Sequence, residues 1–200
     1  EATNPTLNYQ VRDIENLPLL INEKEYTTVT QHVTDSISVS KSDWDSFETS
    51  WDFQQHPLVR PTSTVADAFV QWETECNDRF KQLEVNEKEL NRIFIGIYGL
   101  QDELTPEVED KDVTVRKADL QRDIKSLLSY SVGCMFGRYS LDVDGLAYAG
   151  GDWDESKYKT FLPDMDGIIP ITDEEYLGDD IVTRLCSWLK VVYGEDTLEE

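Results

Sequence analysis

The amino-acid sequence predicts a mainly α-helical protein, with about six helices in one or two packed helical subdomains and at most a short edge strand at the N-terminus. Two observations lead to this fold class. Apolar residues recur every three or four positions over most of the chain, which is the period of one helix face. Several of these stretches begin at a capping residue and end at glycine or proline. With 200 residues, 39% of them hydrophobic, the chain can bury one or two small cores.

The first residues differ from the rest in their periodicity. Over residues 1–21 apolar and polar side chains alternate as far as Pro18, a period of two that suits a short edge strand. The alternating apolar residues are Leu7, Tyr9 and Val11. We therefore expect residues 1–21 to be an extended linker from an upstream domain.

A helical subdomain is predicted over residues 22–100, and its first two helices precede Pro57. One begins at Asn22, which can form a capping box with Glu25, and the other begins at Ser42. Their apolar positions are Tyr26, Val29, Val33 and Ile37 in the first helix, and Trp44, Phe47 and Trp51 in the second.

Two further helices complete this subdomain. One starts at Val65, and the next restarts at Asn86 and ends at Gly99. Their apolar positions are Val65, Phe69, Trp72, Cys76, Phe80 and Leu83, then Leu90, Ile93, Phe94, Ile97 and Tyr98. We expect Trp44, Trp51 and Trp72 to be core residues rather than an exposed recognition platform, because their spacing follows helical periods.

The second half of the chain is predicted to be an acidic loop over 101–113, followed by a helical subdomain with a glycine-rich turn over 114–200. Thr114 caps one helix, and a last helix runs from Thr172 to Gly194. The predicted inward residues are Val115, Leu120, Ile124, Leu127, Leu128 and Met135, then Tyr176, Ile181, Leu185, Trp188, Leu189 and Val192. The glycine-rich stretch 133–151 allows either close helix packing or a loop that approaches a partner.

The strong negative charge limits the function classes. Against 18 Lys and Arg stand 41 Asp and Glu, which gives a net charge of -23. Most of this surface would repel a phosphate backbone. We therefore do not expect the chain alone to bind nucleic acids non-specifically. No apolar run approaches the roughly 18 to 20 residues of a membrane span, and residues 1–21 do not have the pattern of a signal peptide. We expect a cytoplasmic protein without membrane partners.

Residues with metal-binding or catalytic chemistry do not form a complete motif. Cys76, Cys134 and Cys186 are widely spaced and odd in number, which is typical of reduced thiols. Twelve carboxylates lie between residues 142 and 180, but Asp142 and Asp164 each begin a stretch that lacks the later ligands of a calcium loop. No Gly-x-Ser-x-Gly, Walker or dinucleotide-binding pattern occurs. We predict no catalytic, cofactor-binding or metal-binding residue.

Several long strings in fixed order resemble the PglX family, the adenine-specific DNA methyltransferases of bacterial BREX phage-defence systems. These strings are DWDSFETSWDFQQHP at 43–57, NEKELNRIF at 86–94, YGLQDEL at 98–104, GCMFGRYSL at 133–141 and AYAGG at 147–151. Together they are far more specific than a short catalytic motif. Because the chain also starts without methionine, we expect an internal piece of such a protein, downstream of its catalytic domain.

The resemblance implies that the parent protein binds S-adenosylmethionine and methylates an adenine amino group. The family's catalytic Asn-Pro-Pro-Tyr motif has no match, since Asn4-Pro5 is followed by Thr6, and its glycine-bearing cofactor motif is also missing. No catalytic residue and no cofactor is therefore assigned to this chain. The implied role is a non-catalytic helical connecting and interaction region, with other domains of the parent, DNA through the parent, and other defence-system proteins as partners.

Contact with DNA would need local positive charge. The candidates are Arg116, Lys117, Arg122 and Lys125 on one predicted helix and Arg138 in the glycine-rich turn. The simpler interpretation is that these residues are solvent-exposed charges on a helix surface without a binding role. Two alternative functions also remain: an acidic protein-binding or DNA-mimic module that docks a basic partner, and a hydrolase whose carboxylates converge in a cleft.

Overall fold

The computed structural model describes residue 11 and residues 15–195. Its described part contains four complete α-helices, so the mainly helical class is confirmed and the count of six is wrong. They are α1 (Tyr26–Asp45), α2 (Val65–Tyr98), α3 (Leu120–Met135) and α4 (Ile181–Tyr193), with 3-10 turns at Asp110–Asp112 and Glu155–Lys157. Much of the predicted extended linker lies outside the described residues. Of its described part, Val11 and Glu15 are helical and residues 16–21 form no strand.

Helix α2 joins two predicted helices into one of 34 residues. Asn86, which was expected to restart a helix, is buried in its middle. Its side chain accepts from Gln82 Nε2 at 2.9 Å and donates to Ser36 Oγ of α1 at 3.3 Å. Because these tertiary hydrogen bonds occupy the amide, Asn86 connects two helices instead of capping one. The predicted end of α2 at Gly99 is confirmed by its left-handed conformation.

The predicted aromatic helix from Ser42 to Pro57 does not form. Helix α1 continues through Ser42 to Asp45, and a series of turns follows it. The prediction that all three tryptophans are core residues is wrong for two of them: Trp44 is 50% exposed and Trp51 is 99% exposed, whereas Trp72 is buried. Without the helix, the spacing of Trp51 no longer directs it inward.

Helix α1 also packs with a different face from the one its apolar stripe predicts. Tyr26, Val33 and Ile37 are exposed, while His32 and Ser36 contact α2. His32 Nδ1 lies 3.2 Å from Asn86 Oδ1. The contact between these two helices is therefore partly polar, and three of the four apolar residues predicted for this face are exposed.

The last two helices start later than predicted because aspartates cap them. Asp119 accepts from the Arg122 amide at the start of α3, and Asp180 accepts from the Thr183 amide at the start of α4. Residues 114–119 therefore precede α3. Tyr176, predicted to face inward, is exposed before α4 begins. Leu120 and Leu128 are also exposed, against the prediction, whereas the end of α4 at Gly194 is confirmed.

The main core draws on residues on both sides of 101–113. Its buried members are Phe53, Leu58, Ala68, Trp72, Cys76, Leu127, Tyr130, Cys134, Met135, Tyr139, Phe161, Trp188 and Tyr193. A smaller cluster contains Phe80, Leu83, Val113 and Val115. That residues 22–100 and 114–200 each fold as a subdomain of their own stays a prediction. No helix in the described part is both long and apolar enough to cross a membrane.

Close packing explains one glycine of the glycine-rich stretch in full. Gly133 lies inside α3, and a Cβ at this position would be 2.5 Å from Cδ2 of Tyr139. The Tyr139 ring is itself stacked on Tyr130, with centroids 4.9 Å apart, and has an edge contact with Phe53. The ring therefore has little room to move away from an added methyl group.

Substitution of Gly133 by Ala is expected to destabilise the chain by about 1 to 3 kcal/mol, because overpacking outweighs the better helix propensity of alanine. Gly96→Ala in α2 is the matched control, since only the flexible Gln101 side chain comes within 4.0 Å of its new Cβ. That variant is expected to gain about 0.5 to 1 kcal/mol. Urea unfolding of both variants at pH 7 measures the difference. Equal stabilisation by the two substitutions would show that the Tyr139 ring can move away from the added methyl group at little cost.

Candidate nucleic-acid interface

The five basic candidates do not share one helix. Arg116 and Lys117 lie before α3, Arg122 and Lys125 lie in its first turns, and Arg138 follows its end. The predicted helix from Thr114 is thus wrong for the first two residues, because the Asp119 cap sets the start of α3 at Leu120. The structure brings some of these cations together and separates others.

Arg116 and Arg122 meet over one aromatic ring. The Phe47 ring centroid lies 4.1 Å from the guanidinium carbon of Arg116 and 5.5 Å from that of Arg122. Arg116 also lies 6.0 Å from the Trp44 ring. These cation–π contacts attach the turns after α1 to the start of α3, so both guanidinium groups have a structural role.

Arg122 also compensates a buried carboxylate. Asp123 is 2% exposed, and its Oδ1 accepts from Arg122 Nε at 2.7 Å. Its Oδ2 accepts from Trp72 Nε1 and from the Asp119 amide, both at 3.0 Å. A buried carboxylate needs such donors, because an uncompensated charge in the interior is costly.

Asp43 is the second buried carboxylate in this region. Its Oδ1 accepts from the Arg116 amide at 3.3 Å. Burial raises the pKa of Asp43, although this hydrogen bond and the charges of Arg79, Arg116 and Arg122 act in the opposite direction. The positive charges of Arg116 and Arg122 therefore mainly compensate buried carboxylates.

The remaining three candidates divide into one paired and two unpaired cations. Lys117 Nζ lies 2.7 Å from Asp110 Oδ2 and 4.0 Å from the Phe80 ring centroid. Lys125 and Arg138 are exposed, and neither has an ion-pair partner among the residues described. Of the five, these two keep the charge that a phosphate contact requires.

Arg138 borders a small cavity beside Trp51, which we call the Trp51 cavity. Its volume is about 200 Å³. The lining residues are Glu48, Thr49, Ser50, Trp51, Phe53, Arg138, Tyr139 and Leu146. The two walls are joined by a hydrogen bond from the Gly145 amide to the Gln54 carbonyl at 2.8 Å, and the Ala147 amide donates to the Arg138 carbonyl at 2.9 Å. Two of the strings that carry the family resemblance, 43–57 and 133–141, therefore meet in this cavity.

The Trp51 cavity contains an acceptor, a cation and an aromatic surface. Glu48 Oε2 accepts from the Tyr139 hydroxyl at 3.2 Å, whereas Glu48 Oε1 is buried without a hydrogen-bond partner in the described part. Burial, and next the Glu48 charge, raise the pKa of Tyr139. The Arg138 guanidinium lies 5.5 Å from the Tyr139 ring. These groups could hold a flat ligand that carries a hydrogen-bond donor.

The sequence prediction missed this cavity because it placed Trp51 in a helix. A signal was present in the composition around it. Thr49, Ser50 and Asp52 flank Trp51, and such clusters of small polar residues are typical of turns. Arg138 was a candidate before the structure was known, but nothing in the sequence indicated that it lies beside Trp51.

The other side chains that could react or bind a metal have structural roles. Burial raises the pKa of the Cys134 thiol to about 12, and its side chain lies in the main core. Burial acts to raise the pKa of Asp142, but hydrogen bonds from Thr160, Lys159 and Ser140 lower it overall. Asp164 accepts from the amides of Asp166, Gly167 and Ile168. Within residues 15–195 no group of three or more Cys, His, Asp or Glu side chains could hold a metal ion.

The comparison with known proteins extends the family resemblance to the whole chain. No family model matches it. The chain is 51% identical over 209 residues to the adenine-specific methyltransferase PglX of Lacticaseibacillus casei (strain Zhang), an alignment of 100% of this chain and 17% of that protein. It is 33% identical over 222 residues to the adenine-specific methyltransferase BrxX of Escherichia coli O9:H4 (strain HS), covering 98% of this chain and 18% of that protein.

The resemblance to PglX is thereby confirmed along the full length of the chain. The chain spans less than a fifth of the length of the curated relatives it matches, at 17% and 18%. This agrees with an internal piece of a PglX-like protein.

Replacement of Arg122 by Met tests whether its charge stabilises the fold. We expect a loss of about 1 to 3 kcal/mol, because buried Asp123 loses its charged donor while the partly exposed Arg122 limits the effect. Lys125→Met, three residues further on the same helix, is expected to stay within about 0.5 kcal/mol of the parent chain. Urea unfolding at pH 7 compares them. If both variants were equally stable, the charge of Arg122 would make no measurable contribution to the stability of the fold.

His56 makes the stability of the chain depend on pH. Its ring is buried, and Nδ1 accepts from the Leu58 amide at 3.2 Å. Burial lowers the pKa of His56 from 6.5 to about 4; the nearby Asp123 charge opposes this shift and the Arg60 charge adds to it. The unfolded chain therefore takes up this proton at a higher pH than the folded chain, and stability falls as the pH drops from about 7 towards 4.

Between pH 7 and pH 5 this protonation is expected to cost about 2 kcal/mol of folding free energy. His56→Asn keeps an acceptor for the Leu58 amide but does not titrate, so the variant is expected to lose about 2 kcal/mol less over the same interval. Urea unfolding of both proteins at pH 7 and pH 5 gives the difference, from which the shared carboxylate contribution cancels. An identical loss in the two proteins would contradict the assignment to His56.

Proposed function

We propose that this chain is a non-catalytic helical connecting and interaction region of an adenine-specific DNA methyltransferase in bacterial phage defence. The observation that carries the proposal is the alignment with PglX, which covers the whole chain at 51% identity but only 17% of that relative. Methyl transfer from S-adenosylmethionine would then belong to the remainder of the parent protein. The setting of this activity would be the bacterial cytoplasm.

The chemistry of the chain supports a role without catalysis. The sequence lacks the Asn-Pro-Pro-Tyr motif of the family it resembles. The buried carboxylates Asp43 and Asp123 hold neighbouring segments together through hydrogen bonds. His56 accepts a backbone hydrogen bond in the core. Each of these groups stabilises the framework instead of facing a substrate cleft.

An exposed apolar segment supports a role in interaction. Residues 162–177, which we call the apolar segment, carry six large side chains that face solvent: Leu162, Met165, Ile168, Ile171, Tyr176 and Leu177. Acidic residues lie between them in the sequence. Several large exposed apolar side chains in one short segment favour a contact site between domains or proteins.

The apolar segment is held in place by the rest of the chain. Its backbone is anchored by hydrogen bonds from the Asp164 amide to the Met135 carbonyl, and from Arg184 to the Leu162 carbonyl, both 2.7 Å long. The Ile181 amide donates to the Pro170 carbonyl at 2.9 Å. A surface ordered in advance loses less conformational entropy on binding. In our proposal another part of the methyltransferase packs against it.

The alternative of an acidic module that docks a basic partner rests on net charge alone. No contact in the described part and neither relative favours it. Of the five basic candidates, we propose DNA contact for Lys125 and Arg138, the two without an ion pair in the described residues.

Two measurements test the proposed function. The 200-residue chain alone should neither bind S-adenosylmethionine in calorimetry nor transfer a methyl group to DNA. In the full-length methyltransferase, the double substitution Ile168→Glu and Ile171→Glu should lower the melting temperature and the rate of adenine methylation, since two carboxylates would enter an apolar interface at a cost of at least about 2 kcal/mol.

The same double substitution should change the stability of the 200-residue chain by less than about 0.5 kcal/mol per site, because both positions are exposed there. Gln71→Glu, at an exposed position of α2, adds a carboxylate away from the apolar segment and serves as the control in both proteins. Robust methyl transfer by the chain alone would refute a non-catalytic role. A full-length double variant that behaves like the control would refute docking of the apolar segment.

A further inference from the structure

We infer that the Trp51 cavity binds one unstacked nucleobase that carries an amino group: adenine, cytosine or guanine. This inference rests on the proposed function, since it supposes that the parent protein acts on DNA. It adds to that function a base-binding site outside the catalytic part of the enzyme. Stacking, polar complementarity and cavity size each point to this ligand class.

Trp51 provides the stacking surface. Its side chain is 99% exposed, although its backbone is fixed by a hydrogen-bonded turn. The Ser50 amide donates to the Phe47 carbonyl at 2.9 Å, and Ser50 Oγ donates to Asp45 Oδ1 at 2.6 Å. An indole ring held out in this way can stack on a base, and such stacking typically contributes about 1 to 3 kcal/mol.

Glu48 provides the acceptor that selects for an amino group. The Tyr139 hydroxyl fixes one carboxylate oxygen, and the other, Oε1, lacks a partner in the described part of the chain. Oε1 is buried and Glu48 lines the cavity, so binding requires the carboxylate to turn towards a ligand there. Carboxylates accept from the exocyclic amino groups of bases. Adenine, cytosine and guanine carry such a donor beside a ring acceptor, whereas thymine has no amino group and would place a carbonyl oxygen against the carboxylate, acceptor against acceptor.

Arg138 provides a donor and a positive charge. It lines the same cavity as Trp51 but belongs to a distant part of the sequence. It has no ion-pair partner within residues 15–195. Asp52, which follows Trp51, is engaged by Lys41. An arginine in this position can donate to a ring acceptor of the base or to its phosphate. The local charge is thus more favourable to a nucleotide than the net charge of -23.

The cavity size restricts the ligand to a single ring system. Its volume of about 200 Å³ is below the roughly 300 to 1,000 Å³ of pockets for larger small molecules. A base within a duplex has both faces covered by its neighbours, so only a single-stranded or extruded nucleotide can stack on Trp51. The site is therefore expected to contact DNA that has been locally opened.

Binding of short single-stranded oligonucleotides by the 200-residue chain tests this inference. Fluorescence anisotropy at low salt would compare labelled oligo-dA, oligo-dC, oligo-dT and an abasic strand of equal length. The chain should bind oligo-dA and oligo-dC more tightly than oligo-dT or the abasic strand. Trp51→Ala should weaken binding of oligo-dA by about 5- to 150-fold, the equivalent of one stacked base. Tyr26→Ala, which removes an exposed aromatic ring from α1, should leave binding unchanged.

Two further variants separate the polar contacts. Glu48→Gln replaces an acceptor by an amide that can donate, so the preference for oligo-dA over oligo-dT should disappear or reverse. Arg138→Met should weaken binding of every oligonucleotide and reduce the salt dependence by about one phosphate contact. Circular dichroism of each variant confirms that it is folded, which is expected because Trp51 and Arg138 are exposed.

Absence of binding by the chain at low salt, or equal binding by Trp51→Ala, would overturn the inference. A Trp51→Ala substitution that lowers the melting temperature of the full-length enzyme without affecting oligonucleotide binding would show that a protein segment occupies the cavity, which also overturns it. Both results leave the proposed function intact if the chain alone still lacks methyl transfer. Methyl transfer by the chain alone would instead refute the proposed function, whatever the oligonucleotides show.

Discussion

The hydrogen-bonded carboxylate of Asp123 is the constraint on which the rest of this structure depends. It receives donors from three places in the chain: the indole of Trp72 in α2, the backbone amide of Asp119 and the guanidinium of Arg122. Because a buried carboxylate is stable only with such donors, their positions are fixed relative to each other. Asp123 therefore sets the position of α3 against α2, and through it the main core between them.

The same constraint determines where Trp51 emerges. Arg122 is held by Asp123 and lies over Phe47, which Arg116 also contacts. Phe47 is thereby fixed against the start of α3, and the turn that follows it directs Trp51 to the solvent. Basic residues that the sequence offered as DNA contacts thus act mainly as supports.

The sequence predicted the helical class, the end of α2 at Gly99 and the end of α4 at Gly194, because local capping chemistry is readable from the chain. The prediction failed where a tertiary contact or a turn replaced the local pattern. Asn86 bonds to α1 instead of starting a helix, and Trp51 leaves the helical period at a turn. Of the candidate site, Arg138 was predicted, but its neighbours Trp51 and Glu48 come together only through tertiary contacts.

Gly133 and the exposed Trp51 differ in how far packing within the chain explains them. The glycine at position 133 and the aromatic rings beside it are accounted for by packing, since a Cβ there would collide with Tyr139. Trp51 contributes little to the stability of this chain because its side chain is 99% exposed, whereas Arg138 contacts the Tyr139 ring. A ring as exposed as that of Trp51 gains no free energy from burial within the chain. In our proposal, its partner is therefore a base that approaches from outside the chain.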